Sequence, residues 1–251
     1  VRSTLTNEVY RARLEDAEPG DRELLVAADL YVSLRRFERA EALLDRTDVL
    51  ERSDPELLTL AGRLLAQLQR SDAALDALRR AAGSHRARPA LLRSVITTMA
   101  QMGQLDAAAE ALDDALARFP ESVGLLELGG MLSMARGDPG LAASRYEEAI
   151  AAAAGKPWEL ASVSEAVVRA GLSARNRELA FSGVDGMRAA VEAKPDSPTL
   201  RHDLGQALLA VGELDEGLGY LESAAGSAGA NQALIDAYRL AADRVRALTG
   251  G

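Results

Sequence analysis

The side chains that could carry out catalysis in this chain are few and widely separated in the sequence. There are two histidines, His85 and His202, and no cysteine. A Ser-His-Asp set or a zinc site needs such groups held together, and the two histidines fall in different segments. Gly183 and Gly186 do not follow a strand pattern, so they do not predict a phosphate-binding loop. We therefore predict no catalytic residue, no metal site and no cofactor, and a protein that is not an enzyme.

The charge balance limits the partners that the chain can bind. With 29 basic and 38 acidic residues it carries a formal net charge of −9. A nucleic-acid ligand needs a broad positive face, so nucleic acid is excluded as an expected partner. No apolar run reaches the roughly 18 residues of a membrane span, which predicts a soluble segment without direct membrane insertion. Cytoplasm and periplasm are both compatible, because a chain without cysteine gives no redox information.

The elements that position these side chains follow a fixed period of 34 residues. Three sets of residues, which we call columns, each recur at this spacing: one of leucine, one of alanine and one of large apolar residues. Because the three columns keep fixed offsets from one another, composition alone does not produce the spacing. The leucine column consists of Leu24, Leu58, Leu92, Leu126 and Leu160. The alanine column consists of Ala40, Ala74, Ala108 and Ala142, and the third of Leu44, Leu78, Leu112 and Tyr146.

Each unit of this period reads as two helices joined by a tight turn. Apolar residues recur at helical spacing within each half of a unit. Proline opens four units, at a first-turn position where its missing N–H costs nothing, and these are Pro55, Pro89, Pro157 and Pro198. Asp54, Ser197 and Asp138 precede predicted helices and can cap them. Gly103 and Gly137 supply turns between paired helices.

We number each unit so that the leucine column is position 4, which puts the alanine column at position 20 and the third column at position 24. With these columns, its prolines and small residues at positions 8 and 20, the unit resembles the tetratricopeptide repeat. The resemblance covers about residues 21–231 and implies an all-α, right-handed α-solenoid of about six repeats. We predict a single domain over 1–251, with a capping helix in 1–20, repeats in 21–231 and a second capping helix in 232–251.

Three features depart from that family pattern. Position 4 is leucine where the family prefers tryptophan, and position 15 is Arg35 and Gln69 in the first two units where glycine is usual. The fifth unit, 157–197, is seven residues too long. Its surplus falls between Gly171 and Gly183, which predicts a longer second helix or a bulging loop.

The resemblance also implies a concave groove, formed by the first helices, that holds a peptide or a helix of a partner. When the groove positions of the family are transferred to the matching positions of this chain, the wider lining of the groove includes Asp29, Thr59, Gln67, Asp203 and Gln206. The carboxylate-clamp subtype is disfavoured, because the matching positions hold Leu25 with Asp29 and Ala90 with Ser94. The residues chosen as partner-binding are Arg63, Arg93, Thr97, Gln101, Met131, Met134, Trp158, Glu165 and Arg169.

Five of these residues also have a purely structural interpretation. Met131 and Met134 can fill gaps between helices, Trp158 can pack over a repeat junction, and Arg63 and Arg93 can be ordinary solubilising charges. The sequence thus favours a protein-interaction module or adaptor, of bacterial type, whose partner is a protein or peptide. Two alternatives stay open: a scaffold that self-assembles as a homo-oligomer, or the accessory repeat region of a larger bacterial secretion, export or protein-sorting protein.

Overall fold

The computed structural model describes residues 20–51, 54–227 and 231–249, which form thirteen α-helices and no strand. This confirms the all-α prediction. The capping helix predicted within 1–20 lies outside the described residues. The chain forms two compact units, Val1–Phe119 and Pro120–Gly251. The prediction of one domain over 1–251 stays a prediction.

The described residues of the first unit form three helix hairpins. Within each unit the first helices of successive hairpins are in contact, and here α1 contacts α3 and α3 contacts α5. The hairpins are α1 (Asp21–Ser33) with α2 (Phe37–Leu44), α3 (Pro55–Gln67) with α4 (Ser71–Gly83), and α5 (Pro89–Gln101) with α6 (Leu105–Arg118).

The second unit repeats this plan and adds a last helix. Here α7 contacts α9, α9 contacts α11, and α13 packs on α12. The elements are α7 (Val123–Ala135) with α8 (Pro139–Ala152), α9 (Pro157–Ser173) with α10 (Arg177–Ala193), α11 (Pro198–Val211) with α12 (Leu214–Ala225), and α13 (Gln232–Thr249).

The helix starts occur where the sequence places them. The four predicted prolines each occupy the first turn of a helix. The side chains of Asp54, Asp138 and Ser197 accept hydrogen bonds from the first backbone N–H groups of α3, α8 and α11. These caps satisfy donors that no helical carbonyl can reach, and each contributes about 1 kcal/mol to stability.

The 34-residue period reflects which side chains are buried. All five leucines of the leucine column are at most 5% exposed. Burying a leucine stabilises a fold by about 1.5–3 kcal/mol, so one leucine of this column anchors the first helix of each of the first five hairpins. Glycine at position 8 lies beneath the large apolar residue at position 24. A Cβ on Gly62 would lie 2.7 Å from Leu78 Cγ, and one on Gly130 would lie 2.5 Å from Tyr146 Cε1.

The turns inside the hairpins share one backbone shape whatever residue they contain. One residue of each turn has a positive φ, as at Gly103 (77°) and Arg35 (55°), and it stands at position 15 in every hairpin except the elongated fifth, where it is Arg175. The next residue donates its N–H to a carbonyl five residues earlier, as Arg36 does to Tyr31. Arg35, Gln69 and Arg175 therefore adopt a left-handed conformation that side chains disfavour.

The surplus of the fifth repeat lengthens both of its helices. Both α9 and α10 have 17 residues, and the turn between them stays three residues long. The two helices approach closely at three glycines. A Cβ on Gly171 would lie 2.3 Å from Ala180 N, one on Gly183 would lie 2.7 Å from Ser164 O, and one on Gly186 would lie 2.2 Å from Ser164 Oγ.

Arginines connect successive repeats within each unit. In the first, Arg118 donates to the carbonyls of Ala82, Ser84 and Ala87 at 2.9–3.3 Å. In the second, Arg188 on α10 holds both carboxylate oxygens of Glu216 on α12 at 2.8 and 3.0 Å. This bidentate contact raises the pKa of Arg188 above its ordinary value, so the pair stays charged.

Candidate functional site

In the first unit, an open cleft of about 640 Å³ lies along α3 and α5. The groove residues Arg63 and Gln101 both line it, although they come from different repeats. We call it the α3/α5 cleft, and its lining is Arg63, Ala66, Gln67, Gln69, Ser71, Thr98, Gln101 and Met102. The polar character of this lining provides hydrogen-bond donors and acceptors with which an extended backbone could pair.

Arg63 forms an ion pair that a ligand could replace. Its Nη2 lies 3.6 Å from Asp29 Oδ1, which is at the same register position one repeat earlier. The two side chains are 43% and 40% exposed. An ion pair this accessible contributes about 0–1 kcal/mol to stability, so exchanging Asp29 for a carboxylate or carbonyl of a partner costs little.

Other predicted residues of the first unit lie outside this cleft. Arg93 is exposed and Thr97 is half-buried on α5, and neither lines the α3/α5 cleft. The expectation that Thr59 faces the groove is wrong. Thr59 is 5% exposed and its Oγ1 donates to Pro55 O at 2.6 Å, so its own helix satisfies the hydroxyl.

In the second unit, the two methionines have different environments. Met134 is partly buried against the cluster formed by Ala142, Tyr146, Val167 and Leu179. It therefore contributes packing, as its structural interpretation predicts. Met131 is 51% exposed on α7.

Trp158 is not enclosed by the fold. It is 51% exposed, and Lys194 Nζ lies 5.1 Å from the centre of its ring. A cation over an exposed aromatic ring contributes about 0.5–1 kcal/mol, which steadies the ring but leaves half of it open to a partner.

The second unit has a cleft of its own between α9 and α11, with a volume of about 480 Å³. Glu165 and Arg169 line it, and Arg169 Nη1 lies 3.6 Å from Glu165 Oε1. We call it the α9/α11 cleft, and its lining is Glu165, Val168, Arg169, Leu172, Ser173, Met187, Asp203, Gln206, Ala207 and Ala210.

The sequence did not single out the apolar part of this cleft. Leu172 is 43% exposed there, beside Ala207 and Ala210. Leu172 lies in the surplus of the fifth repeat, where the 34-residue register assigns no position. Gln206 and Ala210 also line the neighbouring cleft of about 380 Å³ between α11 and α13, where Leu240 is 55% exposed. The apolar lining thus continues from α9 to α13.

The two histidines have different surroundings. His202 Nδ1 lies 3.2 Å from Asp203 Oδ1, and His85 lies in the exposed turn after α4. Over the described ranges, no group of three or more His, Asp or Glu side chains is placed to hold a metal ion. None of the helices in those ranges combines the length and apolar character needed to cross a bilayer. Leu25, which occupies the first position of the carboxylate-clamp pattern, is fully buried and cannot reach a ligand.

Comparison with known proteins identifies the repeat. The profile of the Tetratricopeptide repeat family matches residues 25–90 and 100–177, more than half of the chain. The chain belongs to the tetratricopeptide repeat (TPR) family. TPR repeats mediate protein–protein interactions, and the TPR fold is a typical non-enzymatic repeat scaffold. A search of curated proteins gives no match.

Three solved structures are similar to this chain to different degrees. The C-terminal part of a TPR repeat-containing protein from Cytophaga hutchinsonii has 11% identity and a TM-score of 0.54, with 92% of each chain covered. A thermophilic TPR protein from Thermus thermophilus has 22% identity and a TM-score of 0.44, covering 75% of this chain and 98% of that one. Yeast Tom70 has 14% identity and a TM-score of 0.49, covering 97% and 60%. At 11% identity, the likeness to the Cytophaga hutchinsonii structure shows the fold alone.

Proposed function

We propose that this TPR protein is a non-enzymatic adaptor that binds a peptide segment or a helix of a partner protein in the clefts between its first helices. The observation that carries the proposal is the lining of the α3/α5 and α9/α11 clefts. In each, side chains from two successive first helices face one open space, as Arg63 with Gln101 and Glu165 with Gln206 do.

The two clefts suit different parts of a ligand. The α3/α5 cleft carries amide and guanidinium groups, which pair with backbone carbonyls and carboxylates of an extended segment. The α9/α11 cleft combines exposed Leu172 with Ala207 and Ala210, an apolar strip that can receive the apolar face of a helix. Met131 and Trp158, each half exposed on a first helix, are further proposed contacts in the second unit.

Site-directed crosslinking tests this proposal. Because the chain has no cysteine, a single cysteine placed at Gln101 or at Gln206 can carry a benzophenone without side reactions. We expect irradiation in a lysate of the source cell to attach the same partner protein at a cleft position in each of several preparations. Mass spectrometry of the adduct identifies the partner segment.

The matched control is the same label at Glu147, an exposed residue on the second helix α8. We expect no adduct with that partner from Glu147. Equal yields from Glu147 and from the cleft positions would reject the clefts as the binding site.

A further inference from the structure

One stretch of the chain has a charge opposite to that of the whole protein. Residues 77–105 contain five arginines, His85 and no aspartate or glutamate, within a chain of net charge −9. The arginines are Arg79, Arg80, Arg86, Arg88 and Arg93. Such a concentration of one sign of charge sets up a local positive potential.

The fold gathers the centre of this stretch around the turn between α4 and α5. Arg80, His85 and Arg86 line a cleft of about 620 Å³, and no acidic residue of the described ranges lines it with them. His85, Arg86 and Arg88 line an adjoining cleft of about 920 Å³. We call these four residues, Arg80, His85, Arg86 and Arg88, the basic turn. They form one continuous surface, because His85 and Arg86 belong to both clefts.

The guanidinium groups of Arg86 and Arg88 are available to bind a ligand. Both residues are exposed, and neither guanidinium has a hydrogen bond or an ion pair within the described part of the chain. Arg80 is engaged with Leu50 O and with Asp76 at 3.9 Å. Two acidic residues, Asp54 and Glu56, also line the larger cleft. Asp54 caps α3 with its Oδ1, so the positive end of that helix partly offsets its charge, and Glu56 is the second opposing charge.

The backbone of the basic turn is held in place by Arg118, at the end of α6. Arg118 binds the carbonyls of Ala82, Ser84 and Ala87, on both sides of His85 and Arg86. The Ser84 hydroxyl accepts a hydrogen bond from the Arg86 N–H at 3.3 Å. A turn fixed in this way presents its arginines without a large ordering cost on binding.

We propose that the basic turn binds an acidic segment of a partner protein, with carboxylates of the segment paired to Arg86 and Arg88. Guanidinium and carboxylate groups form the strongest common ionic hydrogen bonds in proteins. Two clefts side by side can hold successive acidic residues of an extended segment. A nucleic-acid backbone fits less well, because it needs a broad positive face, whereas these positive charges are confined to two clefts on a strongly acidic chain.

Binding of a fluorescein-labelled peptide of about ten glutamates, measured by fluorescence anisotropy on the full chain, tests the proposal. We expect saturable binding that weakens at least about fivefold when salt rises from about 50 to 200 mM. The variant R86E/R88E should bind at least about tenfold more weakly. The variant R36E/R46E changes the net charge equally at two exposed arginines outside the basic turn, and should change affinity less than about twofold.

Three results would overturn the proposal: no saturable binding by the unaltered chain, equal losses in the two variants at matched circular dichroism, or tighter binding of a single-stranded oligonucleotide of equal charge. Self-association of the chain that R86E/R88E abolishes, without peptide binding, would also reject it in favour of a second copy as the occupant. Neither variant alters Arg63, Gln101 or the α9/α11 cleft, so failure here leaves the proposed cleft function standing.

Discussion

At the scale of single residues, the turns carry strain that glycine would remove. Arg35 has a φ of 55°, whereas the neighbouring Arg36 has a φ of −98°. A side chain in the left-handed region costs about 1 kcal/mol, so Arg35→Gly should raise the free energy of unfolding by about that amount. Urea denaturation followed by circular dichroism measures the change. Arg36→Gly is the matched control and should be neutral or destabilising. A larger gain in stability from Arg36→Gly than from Arg35→Gly would show that Arg35 is not strained.

Burial of Tyr146 predicts a loss of stability in alkali. Burial raises the pKa of Tyr146 from 10.0 to about 12, and the nearby Glu127 carboxylate adds to the shift. The unfolded tyrosine ionises first, so stability is intact below about pH 10. It falls by up to about 2–3 kcal/mol as pH rises from about 10 to 12.

The comparison with Tyr146→Phe isolates this effect. Melting temperatures of the two proteins should diverge between about pH 10 and 12, with the steeper fall in the unaltered chain. Parallel curves would show that Tyr146 ionises equally easily in the folded and unfolded states.

Sequence patterns predict buried residues better than exposed contacts. The leucine column and the helix-opening prolines could be placed because one physical requirement, burial or a free N–H, fixes each position. Thr59 could not be placed, because a threonine can satisfy its hydroxyl within its own helix and then turn inward. Met134 was ambiguous for the same reason, since its flexible side chain suits both core and surface.

At the scale of helices, the fifth hairpin depends on glycine at its contact. Gly171→Ala would place a Cβ 2.3 Å from Ala180 N, against backbone that cannot rotate away. We expect a loss of about 1–3 kcal/mol or more in the free energy of unfolding, measured by urea denaturation.

A glycine of the same unit without close neighbours provides the control. Gly219 lies within α12, and nothing lies within 4 Å of the position its Cβ would take. Gly219→Ala should therefore stabilise the chain by about 0.5–1 kcal/mol, because alanine favours the helix. Equal effects of the two substitutions would mean that α9 and α10 are not as close as described.

The elongated repeat also shows where a periodic sequence stops being informative. The surplus was located between Gly171 and Gly183, but its division between two 17-residue helices depends on which turn residue takes the left-handed conformation. That residue is Arg175, which has no glycine to mark it. The position of Leu172 in the α9/α11 cleft follows from this division, so the sequence alone could not provide it.

At the scale of the whole molecule, the adaptor proposal and the self-assembling scaffold predict different masses. The adaptor predicts 26.5 kDa at every concentration in light scattering coupled to gel filtration. A mass that rises towards a multiple of that value with concentration would favour the scaffold. The control is the same measurement at high salt, which separates association through opposite charges from association through apolar surface.

The affinity of the crosslinked partner segment for cleft variants tests the central claim most directly. One variant, Arg63→Ala with Gln101→Ala, alters the α3/α5 cleft, and another, Leu172→Ser with Gln206→Ala, alters the α9/α11 cleft. We predict that at least one of them weakens binding about tenfold or more in isothermal titration calorimetry, while Glu147→Ala with Glu148→Ala on the second helix α8 stays within about twofold. Affinities within twofold for all three variants, with helical content unchanged, would contradict binding in the clefts.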